Sequence, residues 1–136
     1  MTPVAMDISG LLGAVEDLDY QLASEGITYE VNADDLEYIT DKQLSINLFR
    51  IIQESINNTI KYADASIVSV SAKLDGNDLI LDIKDNGIGF DSILWEQSET
   101  IGLSGIKSRV EYLNGSIQLR QNQGTQYFIT IPINKV

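Results

Sequence analysis

The stretch Asp85-Asn86-Gly87-Ile88-Gly89-Phe90 places a carboxylate at the end of an alternating segment and follows it with a glycine turn. Leu79, Leu81 and Ile83 fall on one side of the predicted strand, because successive side chains alternate across a sheet. Asp85 continues this apolar side, so we expect a buried carboxylate that needs hydrogen-bond donors. An amino group on a bound molecule would be such a donor. The alternative is an ordinary Asn-Gly turn in which the aspartate caps its own backbone.

Length and charge narrow the class of protein. The 136 residues are enough for one domain, residues 1–136, with its own core. Nine Lys and Arg against 20 Asp and Glu give a net charge of −11, which argues against binding to nucleic acid or to an acidic membrane. The chain has neither cysteine nor histidine, so thiolate and imidazole chemistry are excluded.

The sequence contains no apolar run of the roughly 18 residues that a membrane span requires, and it begins with no export signal. We therefore expect a soluble, cytoplasmic chain, whether or not its parent protein is anchored in a membrane.

The first half of the chain is dominated by helical periodicity. Residues 7–24 predict an amphipathic helix that ends before Gly26, and residues 27–31 predict a short strand. The acidic stretch 32–40 is interpreted as a solvated loop. Asp41 is a plausible N-cap for the longest helix, which runs to about Ala63 and has a wide apolar face.

The second half alternates as strands. Residues 66–74 and 78–84 predict a hairpin, and residues 116–120 and 125–133 predict another. Between them, residues 90–101 have no period and are interpreted as a mobile loop, and a helix follows until Asn114-Gly115. Helices and antiparallel strand pairs in this order predict an α+β fold, a two-layer sandwich with about five strands in a mixed, mostly antiparallel sheet on three helices.

The polar stripe of the long helix carries Glu54, Asn58 and Lys61, which lie within about 60° of one another at helical spacing. A solvated face is the ordinary interpretation of such a stripe. Two adjacent asparagines, however, are poor helix formers, so their presence in a helix interior favours a function. An amide oxygen, a carboxylate and an ammonium group together could hold a hard cation and the phosphates it carries. Magnesium needs only one or two protein oxygens when phosphates supply others.

The sequence Gly102-Leu103-Ser104-Gly105 leads into the last helix. Glycines at a helix N-terminus expose backbone N–H groups and a positive dipole to an anion. The alternative is a flexible helix cap without a ligand. Lys107 and Arg109 in the next turn either add positive charge or are simply exposed.

In order, these segments resemble the ATP-binding catalytic domain of sensor histidine kinases, a member of the GHKL (HATPase) superfamily with the Bergerat fold. The resemblance is closest to the nitrate and desaturase sensor subfamily. It covers essentially the whole chain. Residues 48–61 resemble the N box, residues 85–90 the first glycine box, residues 102–109 the second, and Gly124-Thr125 followed by Pro132 the terminal box.

The resemblance implies a role for each matching residue. Asp85 would accept the adenine amino group with support from Thr125, and Asn58 would ligate magnesium. Glu54 would orient or deprotonate the attacking histidine. Lys61 would contact phosphate, and Gly87 and Gly89 would let the backbone pack close to the nucleotide. The cofactor would also be bound by Gly102, Leu103 and Gly105. Residues 91–101 would form the lid.

Three departures from the family pattern affect these expectations. Tyr62 stands where histidine often follows the N-box lysine, and Thr100 replaces the first glycine of the second box. The phosphoacceptor histidine and its helices are missing. We therefore expect a monomeric protein histidine kinase fragment that binds ATP and Mg²⁺ but cannot phosphorylate itself on histidine. Its expected partners are the dimerisation helices of a parent kinase and a response regulator. The alternatives are a degenerate nucleotide-binding module and an anti-sigma-type serine kinase.

Overall fold

The computed structural model describes residues 4–88, 103–121 and 123–133. The helices are α1 (Val4–Asp17), α2 (Asp19–Ser24), α3 (Lys42–Asn58) and α4 (Leu103–Tyr112), with a 3-10 helix at Asp34–Tyr38 and a π-helical turn at Thr59–Ala63. The strands are β1 (Thr28–Asn32), β2 (Ile67–Asp75), β3 (Asp78–Asp85), β4 (Ser116–Gln121) and β5 (Thr125–Pro132). The predicted lid, together with Gly89, Thr100 and Gly102, lies outside the described residues.

The five strands form one mixed sheet in the order β1-β2-β3-β5-β4. β1 pairs with β2 in parallel, whereas the other three pairs are antiparallel. Because β5 pairs with β3 in antiparallel orientation, the start of β5 lies beside the end of β3. Lys84 pairs with Gln126 in this register, so Asp85 and Thr125 lie at the same end of the sheet.

One face of the sheet is covered by helices and supplies the core. Alternate residues of the strands are buried on this face, for example Leu79, Leu81 and Ile83 of β3. α3 contributes to this core through Leu48, Ile51, Ile52 and Ile56, which are fully buried. The predicted two-layer α+β sandwich with a five-stranded, mixed and mostly antiparallel sheet is confirmed.

The long helix begins as predicted. The carboxylate of Asp41 accepts a hydrogen bond from the backbone N–H of Leu44 at 2.8 Å, which is the N-cap interaction. The α-helix ends at Asn58, and its last turn widens into the π-helical turn. Asp64 then adopts a left-handed conformation with φ of 50°, and the chain turns into β2.

Two details of the first half were predicted wrongly. Residues 32–40 are not simply a solvated loop, because the 3-10 helix buries Leu36 completely in the core and Asp35 accepts a hydrogen bond from the backbone N–H of Leu74. The helix predicted over residues 7–24 is divided into α1 and α2, and Gly10 within α1 has a non-helical φ of 72°. Within the described ranges, no helix has both the length and the apolar composition needed to cross a membrane.

Candidate functional site

The carboxylate of Asp85 is buried at the end of β3, with 8% of the residue exposed. One oxygen, Oδ1, accepts hydrogen bonds from the backbone N–H groups of Gly87 at 2.8 Å and Thr125 at 3.2 Å. The other, Oδ2, accepts from the hydroxyl of Thr59 at 3.0 Å. The aspartate therefore does cap its own turn, which was the ordinary alternative. A carboxylate has about four acceptor positions, so one on Oδ2 is left for a further donor.

Thr125 adds a second unused polar group beside this carboxylate. Its backbone N–H is bound to Asp85, and the residue is 1% exposed. Among the described residues, Thr125 Oγ1 is the one buried side-chain polar atom without a hydrogen-bond partner. A buried hydroxyl without a partner is costly, and a bound molecule could supply the missing partner.

Glycine is required on both sides of Asp85 because the backbone is tightly packed. A Cβ atom on Gly87 would overlap the carbonyl group of Ala63, which accepts a hydrogen bond from the N–H of Ile88 at 2.7 Å. A Cβ atom on Gly124 would overlap the carbonyl group of Asp85. The first glycine box therefore packs on the end of the π-helical turn, in addition to any approach to a ligand.

Asn86 holds the same turn against the start of β2. Its Oδ1 accepts from the backbone N–H groups of Ser66 and Ile67, each at 2.9 Å, and its Nδ2 donates to the hydroxyl of Ser66 at 2.8 Å. These contacts join segments 20 residues apart in sequence. Asn86 is thus a structural residue of the site, which the sequence indicated only as part of an Asn-Gly turn.

Asn58 is buried at the C-terminus of α3, next to Thr59 in the chain. Its Nδ2 donates to the hydroxyl of Tyr127 at 3.4 Å. Within the described part of the chain no hydrogen bond reaches its Oδ1, and no cluster of three or more acidic residues could hold a metal ion. A magnesium ion here would need phosphate oxygens and water as further ligands, and the Asn58 amide oxygen fits the role of the single protein ligand.

Glu54 lies one turn before Asn58 and faces α4. Its Oε1 is 3.4 Å from Nε of Arg109, whose Nη1 donates to Oδ1 of Asn47 at 3.3 Å. Gly105 leaves room for the other oxygen, because a Cβ there would lie 2.6 Å from Oε2 of Glu54. The last glycine of the second box therefore accommodates this carboxylate, a reason for glycine that the phosphate-binding interpretation did not include.

The model of the family described as histidine kinase-, DNA gyrase B-, and HSP90-like ATPase matches residues 43–135. The chain belongs to this family. The resemblance to sensor histidine kinases seen in the sequence boxes is thereby confirmed, and family membership implies ATP binding.

Relatives of this ATPase domain occur within longer proteins. The oxygen sensor histidine kinase NreB of Staphylococcus carnosus is 33% identical over 95 residues, which are 68% of this chain and 27% of that protein. The blue-light activated histidine kinase of Erythrobacter litoralis EL346 has the same fold, with a TM-score of 0.77 at 19% identity over 95% of this chain and 44% of that one. Full-length ShkA in complex with AMPPNP has a TM-score of 0.69 to this chain at 16% identity. The match covers 93% of this chain and 30% of the ShkA chain. This chain thus spans about a quarter of the length of NreB.

The fold brings several of the predicted residues of this ATPase domain together. Asp85 and Thr125 are in direct contact, and Thr59 links them to Asn58. Glu54 and Gly105 form a separate group on α3 and α4.

Two other predicted residues lie apart from these groups. Lys61 is exposed on the π-helical turn. The side chain of Leu103 is fully buried in the core, so only its backbone could contact a nucleotide.

Among the described residues, three whose side chains hydrogen-bond to the predicted set were not predicted as site residues, namely Thr59, Arg109 and Tyr127. Asn86, which holds the turn against β2, was not predicted as a site residue either. Arg109 had been considered only as added charge or an exposed side chain. Thr59 and Tyr127 reach their partners across 26 and 69 residues of sequence, so no local pattern indicates these contacts. A buried polar group in an otherwise apolar pattern, such as the tyrosine of β5, is the one signal that could have been used.

Proposed function

We propose that this chain is the ATP·Mg²⁺-binding catalytic domain of a two-component sensor histidine kinase. It would position the γ-phosphoryl group for transfer to a histidine on a separate dimerisation helix. The observation that supports this best is the buried Asp85 carboxylate, with one acceptor position left, beside the unpartnered hydroxyl of Thr125. The exocyclic amino group of adenine is a donor for the carboxylate, and a ring nitrogen or an ordered water is a partner for the hydroxyl.

The phosphate end would be held by residues of α3 and the turn after it. Asn58 would supply the protein ligand to magnesium, and Lys61, exposed near the helix end, would contact phosphate. Bound magnesium neutralises phosphate charge during phosphoryl transfer. Catalysis of this reaction depends mainly on positioning and charge, so Glu54 would act by orienting or deprotonating the attacking histidine.

The proposed acceptor lies on another segment, since this chain contains no histidine. Phosphoryl transfer would therefore occur to dimerisation helices of the parent kinase, and from there to a response regulator. On this proposal the isolated chain is a monomer that binds nucleotide and acts in the cytoplasm.

A nucleotide-binding module without transfer activity is the second candidate. The observation that favours it is the contact between Glu54 and Arg109, because a carboxylate already paired with a guanidinium is less available to orient an attacking histidine. The two candidates predict the same ATP binding. They differ in whether added histidine-bearing helices become phosphorylated.

The first test is calorimetric titration of the chain with AMPPNP, with and without Mg²⁺, for the wild type and Asp85→Asn. We expect the substitution to weaken binding by about 10- to 100-fold, the equivalent of a lost hydrogen bond to a charged group. Asp82→Asn is the matched control, because Asp82 lies on the same strand but accepts from Gln126 at 3.0 Å on the open face. Thermal melting checks that both variants are folded. Equal affinity of Asp85→Asn and the wild type would contradict the proposed adenine contact.

A further inference from the structure

The hydroxyl of Tyr127 lies against the Asn58 amide in the interior of the domain. Tyr127 follows Thr125 by two positions in β5 and is 1% exposed. Its hydroxyl oxygen accepts a hydrogen bond from Asn58 Nδ2 at 3.4 Å. Burial raises the pKa of the Tyr127 hydroxyl well above its ordinary value, the hydrogen bond from Asn58 lowers the pKa, and the charge of Asp85 raises it further. The hydroxyl of Tyr127 is thus a buried hydrogen-bonding group that contacts Asn58.

The core alone does not account for this hydroxyl. Phenylalanine would fill nearly the same space at position 127 without burying a polar atom. A buried hydroxyl costs free energy unless it is hydrogen-bonded, and here it accepts a hydrogen bond from the residue assigned to magnesium. The tyrosine thus provides a polar contact at a point where packing requires only an apolar ring.

The two ends of an asparagine amide are not equivalent toward a cation. The oxygen can ligate Mg²⁺, whereas the NH₂ group presents two donors and repels it. With Nδ2 directed at Tyr127, Oδ1 points away from the ring and is not engaged by the described residues. In this orientation, both ends of the amide have a favourable partner once a cation is bound.

We propose that Tyr127 is a positioning residue for magnesium, whose hydroxyl holds the Asn58 side chain with Oδ1 presented to the cation. The proposal rests on the proposed function, because it takes Asn58 as the magnesium ligand. Groups that orient a metal ligand in this way commonly change metal affinity by about 10- to 100-fold when removed. The hydrogen bond here is long and uncharged, so a smaller effect is expected.

The test compares Tyr127→Phe with Tyr29→Phe in calorimetric titrations of AMPPNP at a series of Mg²⁺ concentrations. Tyr29 is the matched control, because its partly buried hydroxyl donates to the carbonyl of Val15 at 2.8 Å, away from Asn58. For Tyr127→Phe we expect AMPPNP affinity without magnesium to stay within about twofold of the wild type. Magnesium should increase the affinity for AMPPNP in both proteins. The Mg²⁺ concentration that gives half of this increase should be about three- to tenfold higher for Tyr127→Phe than for the wild type. Tyr29→Phe should leave both quantities unchanged.

A second measurement needs no nucleotide. In the NMR spectrum of the free chain, the side-chain NH₂ signals of Asn58 should shift, and exchange faster with solvent, in Tyr127→Phe but not in Tyr29→Phe. Identical Asn58 signals or identical Mg²⁺ dependence in the two variants would overturn the positioning role alone. Absence of AMPPNP binding by the wild type would instead overturn the proposed function, and this role with it.

Discussion

The two carboxylates of the proposed site, Asp85 and Glu54, are held in different ways. Asp85 belongs to a buried cluster, defined as Thr59, Asp85 and Thr125, whose members are all at least nine-tenths buried. The hydrogen bonds to the Asp85 carboxylate measure 2.8 to 3.2 Å. Glu54 belongs to a helix-pair cluster with Arg109, Asn47 and Gly105. There the Arg109 and Glu54 side chains are 36% and 28% exposed, and the polar contacts measure 3.3 to 3.4 Å.

The difference lies in what fixes each carboxylate. Backbone N–H groups of the glycine turn and of β5 hold Asp85, so its position is set by the fold itself. A long guanidinium side chain holds Glu54, and exposed ion pairs of this kind contribute only about 0–1 kcal/mol. A fixed acceptor suits recognition of a base with one hydrogen-bonding edge. A loosely held carboxylate can change position when a partner approaches. Substitutions should therefore affect stability strongly in the first cluster and weakly in the second.

The largest effect is expected for Gly124→Ala. Gly124 has a φ of 129°, and a Cβ atom there would overlap the Asp85 carbonyl group. Backbone strain at such a residue costs about 1–3 kcal/mol, and displacement of β3 adds to it, so we expect a loss of about 3 kcal/mol or more in the free energy of unfolding. Urea unfolding of the variant measures this loss.

Gly76→Ala is the control that separates the cost of backbone strain from the cost of the steric overlap at Gly124. Gly76 also has a positive φ, of 62°, but a Cβ atom there would meet nothing within 4 Å. Its expected cost is about 1–2 kcal/mol from the left-handed conformation alone. If both variants lose the same stability, the tight packing of Gly124 on Asp85 does not contribute.

The sequence predicted the first cluster better than the second, for a physical reason. Alternation along β3 places Asp85 on the buried face, and a buried charge requires donors, so both its burial and its need for donors follow from local pattern. The pairing of Glu54 with Arg109 depends on how α3 and α4 pack, and helical periodicity does not specify that. Parallel pairing of β1 with β2 and burial of Leu36 in the 3-10 helix are likewise set by tertiary contacts.

An intermediate effect is expected for Thr59→Val, which keeps the shape of the side chain but removes the donor to Asp85 Oδ2. A hydrogen bond to a charged group contributes about 1.5–3 kcal/mol, so the free energy of unfolding should fall by about that amount. Ser55→Ala is the control, because this equally buried hydroxyl donates at 2.7 Å to the neutral carbonyl of Ile51, and its loss should cost about 1 kcal/mol or less. Equal losses in urea unfolding would show that the charge of Asp85 adds nothing to the first cluster.

The smallest change in stability is expected for Gly105→Ala in the helix-pair cluster. The nearest atom to the added Cβ is Oε2 of Glu54, at 2.6 Å, which is the end of a flexible side chain and can move away. Alanine also favours the helix by about 1 kcal/mol, which offsets the loss of a weak ion pair. We expect the free energy of unfolding to stay within about 1 kcal/mol of the wild type. Arg109→Ala should then have a smaller effect in this variant than in the wild type, because Glu54 has already moved.

Gly115→Ala is the matched variant for this last prediction. A Cβ atom there would also find its nearest neighbours at 2.6 Å, but one of them is the backbone carbonyl oxygen of Thr130, which cannot move without moving β5. Gly115→Ala should therefore cost about 2 kcal/mol or more in urea unfolding, although the two clashes have the same distance. A large loss of stability in Gly105→Ala, comparable with that in Gly115→Ala, would mean that Glu54 is held as rigidly as Asp85. The contrast between a carboxylate fixed by the fold and one that can be displaced would then be wrong.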